Sequence, residues 1–202
     1  QENIFILILK YGIGIFIFTF IYWYIILLCQ KYNRRNKDYQ IVAAEQKCFY
    51  LIWIITFLCL NISIYAFYPG NWSWDNLYQW AQATGMCGLD PGHPIFMTLG
   101  MRVLIAIYPS PMAIMMFIAV ITATVLASIL TYCYKKGLKL RNLIIVGILI
   151  CFLPNVIIMV TNPLKDTFHS IALIYVLFFA ILINDNDKEF KNNIYYIVFL
   201  PI

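Results

Sequence analysis

Charge is what this chain has least of. Lysine, arginine, aspartate and glutamate together make up 11% of its 202 residues, against 63% hydrophobic residues, where a soluble domain carries about 25% charge. That scarcity excludes an ordinary soluble domain, and no polar stretch is long enough to form a separate one. The formal net charge of +5 is no sign of nucleic-acid binding, because the basic residues sit in short patches between apolar runs, as cytoplasmic anchors do. Disulfide chemistry is missing as well. Cys29, Cys48, Cys59, Cys133 and Cys151 lie in or at the ends of apolar runs as small hydrophobes, and Cys87 stands in a polar loop without an obvious partner. Neither a short repeat nor a low-complexity tract is present.

What is present is apolar sequence at bilayer length. Runs over about 3–29, 48–68, 112–130, 142–160 and 167–184 predict five membrane spans, and another run starts at 194. The fold class expected is all-α, a polytopic transmembrane helical bundle, since an open strand leaves its backbone unsatisfied in lipid. The whole of 1–202 reads as one transmembrane domain. Gln1 in place of Met, and an apolar run still in progress at Ile202, lead to the expectation of a piece of a longer membrane protein. The first run exceeds twenty residues without a small-residue cleavage pattern, which argues against a signal peptide.

Two strongly basic connectors, 30–47 and 135–141, belong in the cytoplasm by charge bias. Residues 69–92 and 161–166 then face outward. Between His93 and Lys135 the chain must cross an odd number of times. Residues 95–108 therefore read as a surface helix on the outer side, and 112–130 as the only crossing there. Arg102 fits this, because a cation is least costly near the interface. Pro109 and Pro111 mark the break.

The outer loop holds the chemistry-bearing residues: Tyr68-Pro-Gly-Asn-Trp72-Ser-Trp74-Asp75-Asn-Leu-Tyr-Gln79-Trp80, closed by Asp90-Pro-Gly-His93-Pro94. Asn71 or Ser73 can cap a helix over about 74–83 that Gly85 ends. Asp75 falls in its first turn, four residues from Gln79; Trp72, Asn76 and Trp80 share a face. Trp72, Trp74 and Trp80 are interface anchors whatever the protein does. A loop aspartate is usually just solvated, but it can also act as a general base toward an acceptor hydroxyl. A second outer element opens the last span with Lys165, Asp166 and His169. Their bland reading is a helix-start carboxylate beside a snorkelling lysine. The functional one is a phosphate site, with Lys165 and Arg102 neutralising an anion that His169 also touches.

The succession of a span, Tyr68-Pro-Gly, Trp74-Asp75-Asn-x-x-Gln79, His93-Pro94 and a surface helix resembles the first extracytoplasmic loop of the integral membrane glycosyltransferases of the C-type fold, and the pair Lys165-Asp166 resembles poorly characterised bacterial members. The likeness covers about residues 48–184. It implies a bacterial inner-membrane enzyme that moves sugar from a polyprenyl-phosphate-linked donor to an extracytoplasmic glycan, lipid or protein acceptor. Under that resemblance Asp75 is the catalytic residue, used as base or to position the acceptor and a metal. His93, Arg102, Lys165, Asp166, His169 and Gln79 handle substrate and phosphate, and two juxtamembrane helices lie in the first loop. Some members use magnesium or manganese and others use no cofactor; Asn76, where a second carboxylate would make an acidic metal pair, leaves that open. Two rivals stand beside it. A transporter or flippase predicts broken helices and polar groups at mid-membrane; a structural subunit predicts aromatic anchors alone.

Overall fold

A computed structural model describes residues 39–90, 92–162 and 165–184. The spans expected over 3–29 and from 194 onward lie outside the described residues. Among those described there are seven helices and no strand: α1 Tyr39–Ala66, α2 Trp74–Thr84, α3 Ile95–Ile107, α4 Pro111–Lys135, α5 Leu140–Cys151, α6 Pro154–Thr161 and α7 Lys165–Asn184. Three stretches are long and apolar enough to cross a membrane: Ala43–Ala66, Pro111–Lys135 and Lys165–Leu182. The protein is a membrane protein with an all-helical described region.

The central helix is α4. Ser110 opens it by accepting a hydrogen bond from Met112 N, and Pro111 occupies the first turn, where its missing N–H costs nothing. Its buried side includes Ala119, Ala123 and Ala127, small residues at four-residue steps that let a neighbouring backbone approach closely. The neighbour is α1, which buries Ile52, Trp53, Phe57, Leu60 and Ile64. Trp53 Nε1 donates to Thr124 Oγ1 at 3.1 Å and so fixes the register of the pair. Thr124 in turn donates to Val120 O at 2.7 Å, so its own hydroxyl proton is met as it accepts from Trp53.

On the other side of α1 and α4 lies a broken element. The stretch expected as one span over 142–160 is two helices, α5 and α6, bent by 63°. The physical reason is Pro154. It has no N–H to continue the α5 ladder and it disfavours helical geometry at Leu153, which adopts an extended ψ of 135°. Gly147 seats α5 against the pair: a Cβ there would meet Leu130 Cδ1 and Thr56 Cγ2 at 3.2 Å. The last helix, α7, leans on α4, with Phe168 6.2 Å from Phe117 and Phe178 edge-on to Tyr132. Leu51, Ile54, Leu58 and Ile62 on α1, with Leu173, Val176, Leu177 and Ile181 on α7, are exposed. A surface so apolar needs lipid or more protein against it.

Candidate functional site

The loop between α1 and α4 begins with a cis Tyr68–Pro69 peptide followed by Gly70 at φ +109°. Only glycine suits Gly70. A side chain there would be strained by the positive φ and would reach Thr161 O at 2.8 Å. The close approach lets Asn71 N donate to Thr161 O at 2.9 Å and Asn71 Nδ2 to Thr161 Oγ1 at 3.0 Å. Asn76 Nδ2 donates to Asn162 Oδ1. The outer loop and the turn after α6, which charge bias puts on one side of the membrane, are therefore in direct contact.

Ser73 caps α2, accepting from Asn76 N at 3.5 Å, and Gly85 ends it at φ +81°, so the helix keeps the bounds its cap and stop residues suggest. Its orientation is inside-out. Asn76, Gln79, Gln82 and Ala83 form the buried face, while Trp74 is 87% exposed and Leu77 and Tyr78 are exposed beside it. Asp75 is exposed, so it does not share the environment of Gln79, which is 1% exposed. Successive helix positions lie about 100° apart, and the boundary between the two faces falls between these residues. Trp72 packs edge-on against Trp80 at 5.6 Å, and both are half-buried.

The rest of the loop is fixed locally. Asp90 Oδ1 accepts from Gly92 N at 2.8 Å, an aspartate turn, and Asp90 Oδ2 accepts from Tyr78 Oη at 3.3 Å. The His93 ring lies 5.4 Å from the Tyr78 ring, and its buried Nδ1 has no hydrogen-bond partner. On α3, Thr98 Oγ1 donates to Gln82 Oε1 at 3.4 Å, and Arg102 Nη2 donates to Gln82 O at 2.9 Å. Arg102 thus adds a second donor to a carbonyl in the last turn of α2 that Gly85 N also reaches, at 3.2 Å.

At the start of α7, Lys165 is half-buried while Asp166 and His169 are exposed. Ser170 Oγ donates to Asp166 O at 2.8 Å, so the four-residue spacing is used by side chain and backbone rather than by two side chains. Thr167 Oγ1 reaches back to Asn162 O at 3.2 Å and ties the helix start to the same turn. Asp75 precedes Asn76 by one residue, and Lys165 follows Asn162 by three, so both flank one joint.

Gln82, Thr98, Thr161 and Asn162 join this site without having been marked by their sequence, and Asn76 joins it as a buried amide. The one signal for a buried row of amides was the spacing of Asn76 and Gln82 with Gln79, at i, i+3 and i+6 on a single helix. Among the described residues no group of three or more His, Cys, Asp or Glu side chains could hold a metal ion. No protein-family model, no curated protein and no solved structure matches the chain.

Proposed function

We propose that the protein is an integral membrane glycosyltransferase. It takes sugar from a polyprenyl-phosphate-linked donor and gives it to an acceptor on the extracytoplasmic face of a bacterial inner membrane. The observation that carries this reading is the joint between the outer loop and the α6–α7 turn, built by Asn71, Asn76, Thr161 and Asn162. It brings the segment bearing a solvent-exposed carboxylate, Asp75, against the segment bearing Lys165.

The chemistry follows from these groups. Asp75 accepts the proton of, or orients, the acceptor hydroxyl as it attacks the sugar carbon with inversion. The bond to the lipid phosphate breaks, and the developing negative charge is met by Lys165, with Arg102 adding positive charge nearby. His93 and His169 shape the phosphate end, and Asp166 orients Lys165. In this reading α2 and α3 are juxtamembrane helices. Thirteen residues of α3 span about 20 Å, short of the roughly 30 Å hydrocarbon core. Its exposed face carries Phe96 (80% exposed), Leu99, Val103 and Ile107, which suits a helix lying in the headgroup boundary.

One feature favours a transporter instead, the 63° break between α5 and α6. The break is flanked by Ile148, Ile150, Cys151, Phe152 and Leu153. It carries no charged side chain to couple to an ion, and the glycosyltransferase reading is preferred. The test is transfer of radiolabelled sugar from polyprenyl-linked donors by the intact protein in membranes. Asp75→Asn is expected to lower the rate about 100-fold or more while insertion is unchanged. Equal rates for the two forms would remove Asp75 from the mechanism.

A further inference from the structure

The buried face of α2 presents a row of three neutral carboxamides, Asn76 (0% exposed), Gln79 (1%) and Gln82 (1%), spaced one helix turn apart. Each has a polar atom without a partner: Asn76 Oδ1, Gln79 Nε2 and Gln82 Nε2. A buried donor or acceptor left unmet costs about 1–3 kcal/mol, so three on one face call for something that supplies both donors and acceptors. Arg102 reaches the backbone carbonyl of Gln82 rather than a carboxamide, and Asp75 and Asp166 are exposed, off the buried face. A cation or anion therefore finds no counter-charge in the row. A hydroxyl fits every position, because it donates to Asn76 Oδ1 and accepts from either glutamine amide.

We propose that Asn76, Gln79 and Gln82 form a binding site for an uncharged, hydroxyl-bearing sugar ring. The inference rests on the glycosyltransferase reading for which sugar is meant, and it makes the α2 row the element that selects neutral over acidic sugars. The row is covered in this state. α2 rests chiefly on α3 and is tied to the α6 end through Asn71 and Asn76, so ligand enters as these amide contacts part. Asn76 then exchanges Asn162 for a ring hydroxyl, which couples occupancy of the row to the joint beside Lys165.

The test is saturation-transfer difference NMR on the intact protein in lipid nanodiscs, with glucose, N-acetylglucosamine, glucuronate and inorganic phosphate as probes. The expected result is binding of a neutral sugar that weakens about tenfold or more in Gln79→Leu and in Gln82→Leu. Thermal unfolding and the tryptophan fluorescence of the Trp72–Trp80 pair check that each variant is folded. Displacement of the monosaccharide by a short-chain polyprenyl-phosphate hexose identifies the ring as the donor's; no displacement identifies it as the acceptor's. Absence of neutral-sugar binding, tighter binding of glucuronate or phosphate, or binding unchanged in both folded glutamine variants would overturn the site. Glutamine-dependent binding with no sugar transfer at all would keep this site and discard the enzyme. Asp75-dependent transfer without glutamine-dependent binding would do the reverse.

Discussion

At the scale of single residues, the loop is held by positions that tolerate little change. Gly70 combines a left-handed φ of +109° with a backbone carbonyl 2.8 Å from where a Cβ would sit. Gly70→Ala is expected to lower stability by about 1–3 kcal/mol, read as an earlier thermal transition in detergent micelles; an unchanged transition would mean that the loop relaxes freely. These positions also show what sequence can reveal. Ser73 as cap and Gly85 as stop were legible because both act on backbone within four residues of themselves. The burial of Asn76 and Gln82 was not. A sequence reading assigns neutral amides to solvent and looks for chemistry in Asp and His, whereas here Asp75 faces out and the amides face in. That inversion depends on what α2 rests against, and α3 and Asn162 are distant in sequence.

At the scale of helices, two features govern the site. The first is the capping of α2 from α3. Arg102 donates to the Gln82 carbonyl beside Gly85 N, and removing it takes away the side-chain tie on the last turn of a helix of only 11 residues. Arg102→Ala is expected to raise hydrogen–deuterium exchange over residues 82–88 with the long helices unaffected. Exchange that stays unchanged would leave Arg102 free for a purely phosphate-binding role. The second is the seat of α5. Gly147→Val inserts carbons where one Cβ already meets Leu130 and Thr56 at 3.2 Å, and is expected to cost about 1–3 kcal/mol by overpacking; the check is the thermal transition. The break after α5 had a sequence signal in Pro154, since a proline inside an apolar run marks a helix boundary. Hydropathy alone reads across it, because Phe152 and Leu153 are as apolar as their neighbours.

At the scale of the whole molecule, polar groups gather at one end and basic connectors at the other. The end formed by the α1–α4 loop and the α6–α7 turn carries Asp75, the carboxamide row and Lys165; the α4–α5 connector carries Lys135, Lys136, Lys139 and Arg141. Charge bias predicts that the first end faces outside. In a cysteine-free background, Gly88→Cys is expected to react with a membrane-impermeant maleimide on whole cells, and Leu138→Cys only after permeabilisation. Labelling with the reverse pattern would put the site in the cytoplasm, out of reach of an extracytoplasmic acceptor. Function and specificity alike require that the loop and the α6–α7 turn form one site. The most direct measurement is oxidative cross-linking of Asn76→Cys with Asn162→Cys in native membranes, followed by cleavage at the 135–141 connector. The fragments are expected to remain joined until reduced. Fragments that separate without reductant, while a Thr56→Cys/Gly147→Cys pair, which spans the cleavage site and stands in contact across α1 and α5, holds them together as a control, would contradict a shared site.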